Sequence, residues 1–219
     1  MIEKLNTNYE EENTQESKER EPFFEKIENT NIPPDDKVLL MLLMLERKKV
    51  VLIGNGKKIE GNAKEKNELK QEVLDSFLEY IKLIEELDLY YDSNDSLGDY
   101  RINLYNVLRF GLTVSKKIEY LKMMRIATYS EIRDDETRGT LLGYPETAVR
   151  AFTENKSLKT PPYNEDEMEE EGLLPFLNFR MSENWKEEIK WARENMELIK
   201  SNSPKTYEEV VAYNKSLKD

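Results

Sequence analysis

The chain has 219 residues, with 33 Lys+Arg against 45 Asp+Glu and a formal net charge of −12, so it is an acidic protein of the size of one ordinary domain. It contains no Cys and no His, which excludes a disulfide framework, a thiolate nucleophile, iron–sulfur ligation and imidazole acting as base or metal ligand. Hydrophobic residues at 38% and aromatics at 10% supply one core and rule out a wholly disordered chain.

Residues 1–34 read as an acidic, disordered arm whose one apolar cluster, Phe23, Phe24 and Ile27, can dock. Pro33 and Pro34 end it, Asp35 or Asp36 can cap, and Lys37–Lys48 is predicted to be a helix, apolar on every side and therefore buried. Val50, Val51, Leu52 and Ile53 form a β-branched run; the Gly54-Asn55-Gly56 turn and Lys57–Glu60 after it predict a hairpin near 50–60. Over Ala63–Leu87, Leu69, Val73, Leu74, Phe77, Tyr80, Ile81 and Ile84 recur every three or four residues, the stripe of a long amphipathic helix.

Asp92–Gly98 is turn-rich, and Tyr100–Phe110 has helical spacing stopped by Gly111. Leu112–Val114 suits a short strand, Ser115 can cap a helix over Lys116–Met124, and Ile126–Tyr129 suits strand or loop. A helix is predicted from Ser130 or Glu131 to Leu142, with Gly143 in the left-handed position after its end and Pro145 with Glu146 starting another through Phe152. Lys156–Glu171 reads as an exposed loop, acidic near 160–172, and Phe176–Phe179 as a short strand. A helix through Trp185, Ile189, Met196 and Ile199 follows; Asn202-Ser203-Pro204 breaks it before a last helix over Thr206–Leu217. Trp185 and Trp191 are six residues apart, about 240° around a helix, so they cannot share one face.

The acidity is unevenly spread. Residues 1–36 hold 11 acidic against 4 basic side chains and residues 164–172 hold six acids and no base, leaving a nearly neutral body. Such tails repel phosphate backbones, so no nucleic acid is expected as a partner. No membrane is expected either, because the most apolar stretch, Val38–Leu45, falls far short of the roughly 20 residues a crossing needs. The polar, acidic N-terminus has no basic start followed by an apolar run, and the expected location is the cytoplasm.

Three motifs carry bland readings. Gly54-Asn55-Gly56-Lys57-Lys58 lacks the spacing of a phosphate loop, and the acids of 165–171 lack the alternating ligands and central Gly of a calcium loop. The Glu131–Phe152 corner resembles a helix-turn-helix only in outline, since its second helix has Arg150 as its one basic residue and opens with Glu146. Richer chemistry lies in Arg133, Asp134, Asp135, Glu136 and Arg138 before the corner and Tyr144, Glu146 and Arg150 after it. Either these groups pair with one another and hold the corner rigid, or one arginine stays free to grip a carboxylate or phosphate, with Tyr144 as a hydrogen-bonding wall.

The run Arg138-Gly139-Thr140-Leu141-Leu142-Gly143-Tyr144-Pro145-Glu146-Thr147-Ala148-Val149-Arg150-Ala151-Phe152 resembles an uncharacterised family of small prokaryotic, mainly archaeal, proteins. That family carries Leu-Gly-Tyr-Pro-Glu followed by a Cys pair and has a later Cys-bearing segment where this chain has Met181-Ser182-Glu183-Asn184-Trp185. Here Thr147 and Ala148 stand at the Cys pair, so no thiol-based metal or redox role carries over, and the resemblance implies no activity.

The expected architecture is α+β: a helix-dominated single domain over 35–219 with a few short strands and the arm in front. The expected function is a binding or regulatory module, without metal or cofactor, presenting a groove near Gly143–Pro145 to a protein or a small anionic ligand. Arg133, Arg138, Tyr144, Glu146 and Arg150 are its candidate ligand-binding residues. The alternative is a carboxylate-dependent enzyme, Mg²⁺-assisted or not, acting on a small anionic substrate. Asp134, Asp135, Glu136 or Glu146 would then be acid/base groups or metal ligands, Arg138 the charge stabiliser and Tyr144 the proton donor. Convergence of two of those carboxylates in a concave pocket favours the enzyme; their consumption by arginines favours the binding module.

Overall fold

The computed structural model describes residues 22–54, 56–58, 63–93, 107–130 and 133–216. It is a helix-dominated α+β fold. Residues 22–28 are helical (α1), followed by α2 (Pro34–Met44), β1 (Val51–Ile53), β2 (Gly56–Lys58), α3 (Ala63–Glu86), β3 (Tyr90–Ser93), β4 (Val107–Arg109) and β5 (Leu112–Ser115). Then come α4 (Ile118–Tyr129), α5 (Asp135–Leu141), α6 (Glu146–Thr153), α7 (Glu165–Glu170), a 3₁₀ turn (Leu174–Phe176), α8 (Trp185–Asn202) and α9 (Pro204–Ser216).

Burial of α2 on all sides follows from its composition: Leu40, Met41 and Leu43 have no exposed surface, and Pro34 occupies the first turn, where its missing N–H costs nothing. The helix starts and ends earlier than the expected Lys37–Lys48. The chain leaves it through a turn at Leu45 and Glu46, whose φ is 60°, and bends at Arg47 and Lys49, with Lys48 buried and Lys49 exposed.

Of the hairpin expected near 50–60, with strands over Val50–Ile53 and Lys57–Glu60, strands are present at 51–53 and 56–58, but they do not pair with each other; residues 59–60 lie outside the described residues. β1 pairs with β5 and β2 with β4, both antiparallel and in one continuous register, with Ile53 opposite Leu112 and Gly56 opposite Arg109. The two pairings thus share one register on either side of Gly54, a ribbon of two short sheets notched at Gly54, where any Cβ would collide with the Phe110 carbonyl. β3 joins on the other side of β5, giving the order β1-β5-β3. The helix expected at 100–110 is corrected over its described part, since 107–109 is strand and Phe110 is not helical; residues 100–106 lie outside the described residues.

α2 packs against β1, and α4 against β3 and β5. Val51 and Ile53 enter the main core while Leu52, between them, points out and remains 42% exposed. Ile126–Tyr129 continues α4 rather than forming a strand or loop. The 160–172 loop is likewise corrected: Asn164 accepts from the Asp166 N–H to cap α7, and Met168 is buried beneath it. Phe176–Phe179 is not a strand, because Pro175 sits in the 3₁₀ turn and Leu177 leads out of it.

The arm is narrower than expected. Residues 1–21 lie outside the described residues, whereas Phe24 and Ile27 of α1 are buried in the main core, so the packed body reaches back at least to residue 22. Among the described residues no helix is long and apolar enough to cross a membrane.

Candidate functional site

The corner after α5 forms as its residues dictate. Asp134 caps α5 by accepting from the Thr137 N–H at 2.9 Å and the Thr137 hydroxyl at 2.6 Å, which holds its carboxyl below the usual range. Arg133 and Asp134 are not helical and α5 begins at Asp135, later than the expected start at Ser130 or Glu131; residues 131–132 lie outside the described residues. At its other end Gly143 has φ +69°. Its N–H donates to the Thr140 carbonyl and the Tyr144 N–H to the Gly139 carbonyl, the double bond pattern of a left-handed helix stop. Pro145 then opens α6. Gly139 lets the two helices close together, since a Cβ there would press on the Val149 methyls.

The corner sits on the chain after α2. The N–H groups of Lys49 and Val50 both donate to the Leu141 carbonyl, and Lys48 Nζ donates to the Leu142 carbonyl at 2.6 Å. A side chain at Gly143 would meet the Arg47 carbonyl and Lys48.

Beside the corner lies a cleft of about 520 Å³, lined by Leu52, Arg133, Asp135, Arg138, Tyr144, Val149, Phe152, Phe179 and Arg180 among others. Three of the five expected site residues border it. Arg133 Nε and Arg138 Nη1 both donate to the same Asp135 oxygen, at 2.6 and 3.0 Å. Two guanidiniums thus share one carboxylate, and Arg138 Nε is buried with no hydrogen-bond partner among the described residues. Tyr144 is half-buried against Phe179, with ring centroids 5.7 Å apart, and burial pushes its hydroxyl pKa up. Glu146 and Arg150 do not join them: they form an exposed i,i+4 ion pair on α6 outside the cleft.

The carboxylates named for acid–base work do not converge. Asp134 caps, Asp135 is held by two arginines, Glu136 is exposed, and Glu146 pairs with Arg150. Among the described residues no group of three or more Asp or Glu is placed to hold a metal ion. Glu171, from the acid run, receives both Nε and Nη2 of Arg193 at 2.5 and 2.9 Å, a bidentate pair that holds its pKa down.

Sequence reasoning missed four residues. Arg180 brings a third guanidinium to the cleft, its Cζ 5.8 Å from the Phe152 ring centroid. Lys48 is only 4% exposed, with Nζ 4.9 Å from the Tyr144 centroid and 6.0 Å from that of Trp191; burial lowers its pKa to about 8. Asp36 is buried below Gly54. Glu188, fully buried, accepts from the Thr147 hydroxyl at 2.7 Å and from both the N–H and hydroxyl of Ser182. The only hint in the sequence was the Glu46–Lys49 run, four charged residues set between a wholly apolar helix and an apolar strand.

Compared with known protein families, curated proteins and solved structures, the chain matches none.

Proposed function

We propose that the cleft beside the Gly143–Pro145 turn binds a small anionic ligand with a flat apolar body, such as an aromatic carboxylate or phosphate monoester. Three guanidiniums against one carboxylate leave the rim locally positive, and Phe152, Phe179, Tyr144 and Val149 provide an apolar wall. The observation that carries the reading is Arg138: it borders the cleft, shares its one carboxylate partner with Arg133, and keeps a donor, Nε, without an acceptor, which is costly. The carboxylate enzyme is the weaker reading, because its acids do not converge: Asp134, Asp135 and Glu146 are spent on a cap and on arginines, and Glu136 lies exposed.

The expected cytoplasmic location and the family resemblance belong to this proposal. The two resembling segments, 138–152 and 181–185, meet where Thr147 and Ser182 donate to Glu188, which supports reading them as one unit.

The test is thermal unfolding with benzoate, phenyl phosphate and related compounds. A ligand at about 100 times its Kd adds about 2.7 kcal/mol and raises Tm by several degrees. Arg138→Met weakens that ligand about 10- to 100-fold, the loss of a charged hydrogen bond, while Arg150→Met leaves it unchanged. A panel without any shift, or equal shifts in wild type and Arg138→Met, overturns the proposal.

A further inference from the structure

A second cavity, of about 300 Å³, lies between α2, α8 and the 174–178 segment, with Asn178 bordering both it and the anion cleft. Leu39, Leu42, Phe176 and Trp191 make its walls largely apolar; Lys48, Asn195 and Asp35 bring polar groups to it. We propose that Lys48 is a reactive amine that captures a small uncharged carbonyl compound, an aldehyde or ketone, in this cavity.

Two observations carry the assignment. First, Lys48 is buried, yet among the described residues no carboxylate lies within ion-pair distance of it; its neighbours are the Leu142 carbonyl and the faces of Tyr144 and Trp191. A structural lysine in such a place is normally paired, as Lys37 is with Glu209 at 2.9 Å. Secondly, Arg47 Nε donates to Asn195 Oδ1 at 2.8 Å, which fixes the amide and leaves Nδ2 buried without an acceptor. Arg47 has only donors, so the amide cannot be turned round to satisfy itself. Asn195 lines the cavity, and a carbonyl compound bound beside it brings the kind of group, an acceptor, that the amide lacks.

The chemistry balances without a further reactant. The neutral Nζ lone pair attacks the carbonyl carbon, the C=O π pair passes to oxygen, and proton transfer from nitrogen gives a carbinolamine. Loss of water from it leaves a C=N bond to Nζ. With its pKa lowered to about 8 by burial, Nζ is neutral in about a tenth of molecules at pH 7, against about one in 2,500 for an ordinary lysine. The other titratable group lining the cavity is Asp35, whose carboxyl pKa burial pushes up; Tyr144, whose ring faces Lys48 Nζ from the neighbouring cleft, has its hydroxyl pKa pushed up by burial as well. An uncharged probe suits that set.

The experiment treats the full chain at pH 7 with propanal and sodium cyanoborohydride, which reduces the imine to a stable secondary amine, and follows each lysine by peptide mass spectrometry. Lys48 is expected to be alkylated at least about tenfold faster than its exposed neighbour Lys49, with a rate that saturates as propanal is raised. Alkylation of Lys48 no faster than Lys49 overturns the reactive amine. A fast rate that stays linear in propanal overturns binding in the cavity. Both readouts use the wild-type protein, so they do not depend on a variant folding.

Discussion

At position 36 a carboxylate sits where the surrounding apolar helix would place a methyl-bearing side chain. Asp36 Oδ2 accepts from the Tyr80 hydroxyl at 2.5 Å and from the Gly54 N–H at 3.0 Å, tying α2, α3 and the ribbon notch together. Burial outweighs both hydrogen bonds and raises its pKa to about 6. Because the folded state then holds this proton more tightly than the unfolded one, the group stabilises fully below about pH 4, and that stability is lost as pH rises through about 6. The difference is about 3 kcal/mol. Urea unfolding of wild type and Asp36→Asn at several pH values between 4 and 7 tests this: the wild-type advantage should shrink across the window, and parallel pH profiles would refute it. Asp36 and Lys48 escaped a sequence reading for the same reason. Periodicity locates apolar faces, whereas burial of a single charged residue depends on which distant segment covers it.

The Gly143 turn was legible because its signals are local: a glycine after the last helical residue and a proline that cannot continue the helix. The strand pairing was not, since Val51 faces Val114 across more than sixty residues of chain, and the Asn-Gly signal at 55–56 favours a hairpin that the ribbon overrides. The α5–α6 turn depends on one residue for two reasons. Gly143 is left-handed, and a Cβ there would strike the Arg47 carbonyl. Gly143→Ala should therefore cost about 2–3 kcal/mol, the left-handed penalty plus displacement of the 47–48 segment. Gly111→Ala, where a Cβ would meet nothing within 4 Å, should cost less than about 1 kcal/mol. Equal unfolding midpoints for the two variants would remove the turn's claim to hold the cleft. The site itself was half legible: Arg133, Arg138 and Tyr144 lie on or beside the corner, while Arg180 arrives from a segment with no regular pattern.

At the scale of the whole molecule, the main core draws on residues from both ends of the described chain. Phe24 and Ile27 enter it from α1 and Val210 from α9. Polar contacts follow the same path: the Ser203 hydroxyl donates to Glu28, Lys37 pairs with Glu209, and the Asn214 amide donates to Asp35 at 2.9 Å. The 1–34 stretch, read as an arm whose apolar cluster can dock, thus includes a segment whose removal would open the core, and a truncation meant to spare the fold must stop before residue 22. Ile27 has no exposed surface, so Ile27→Ala should cost about 2–5 kcal/mol, the transfer of the lost methyls plus the cavity they leave. If α1 belongs to the same cooperative unit as α8 and α9, the variant unfolds in a single transition. Tryptophan fluorescence, reporting on Trp185 and Trp191 of α8, should then shift by as much as far-ultraviolet circular dichroism does. An early fluorescence-silent transition would instead make α1 an independently melting attachment, because α8 would stay folded after α1 had left.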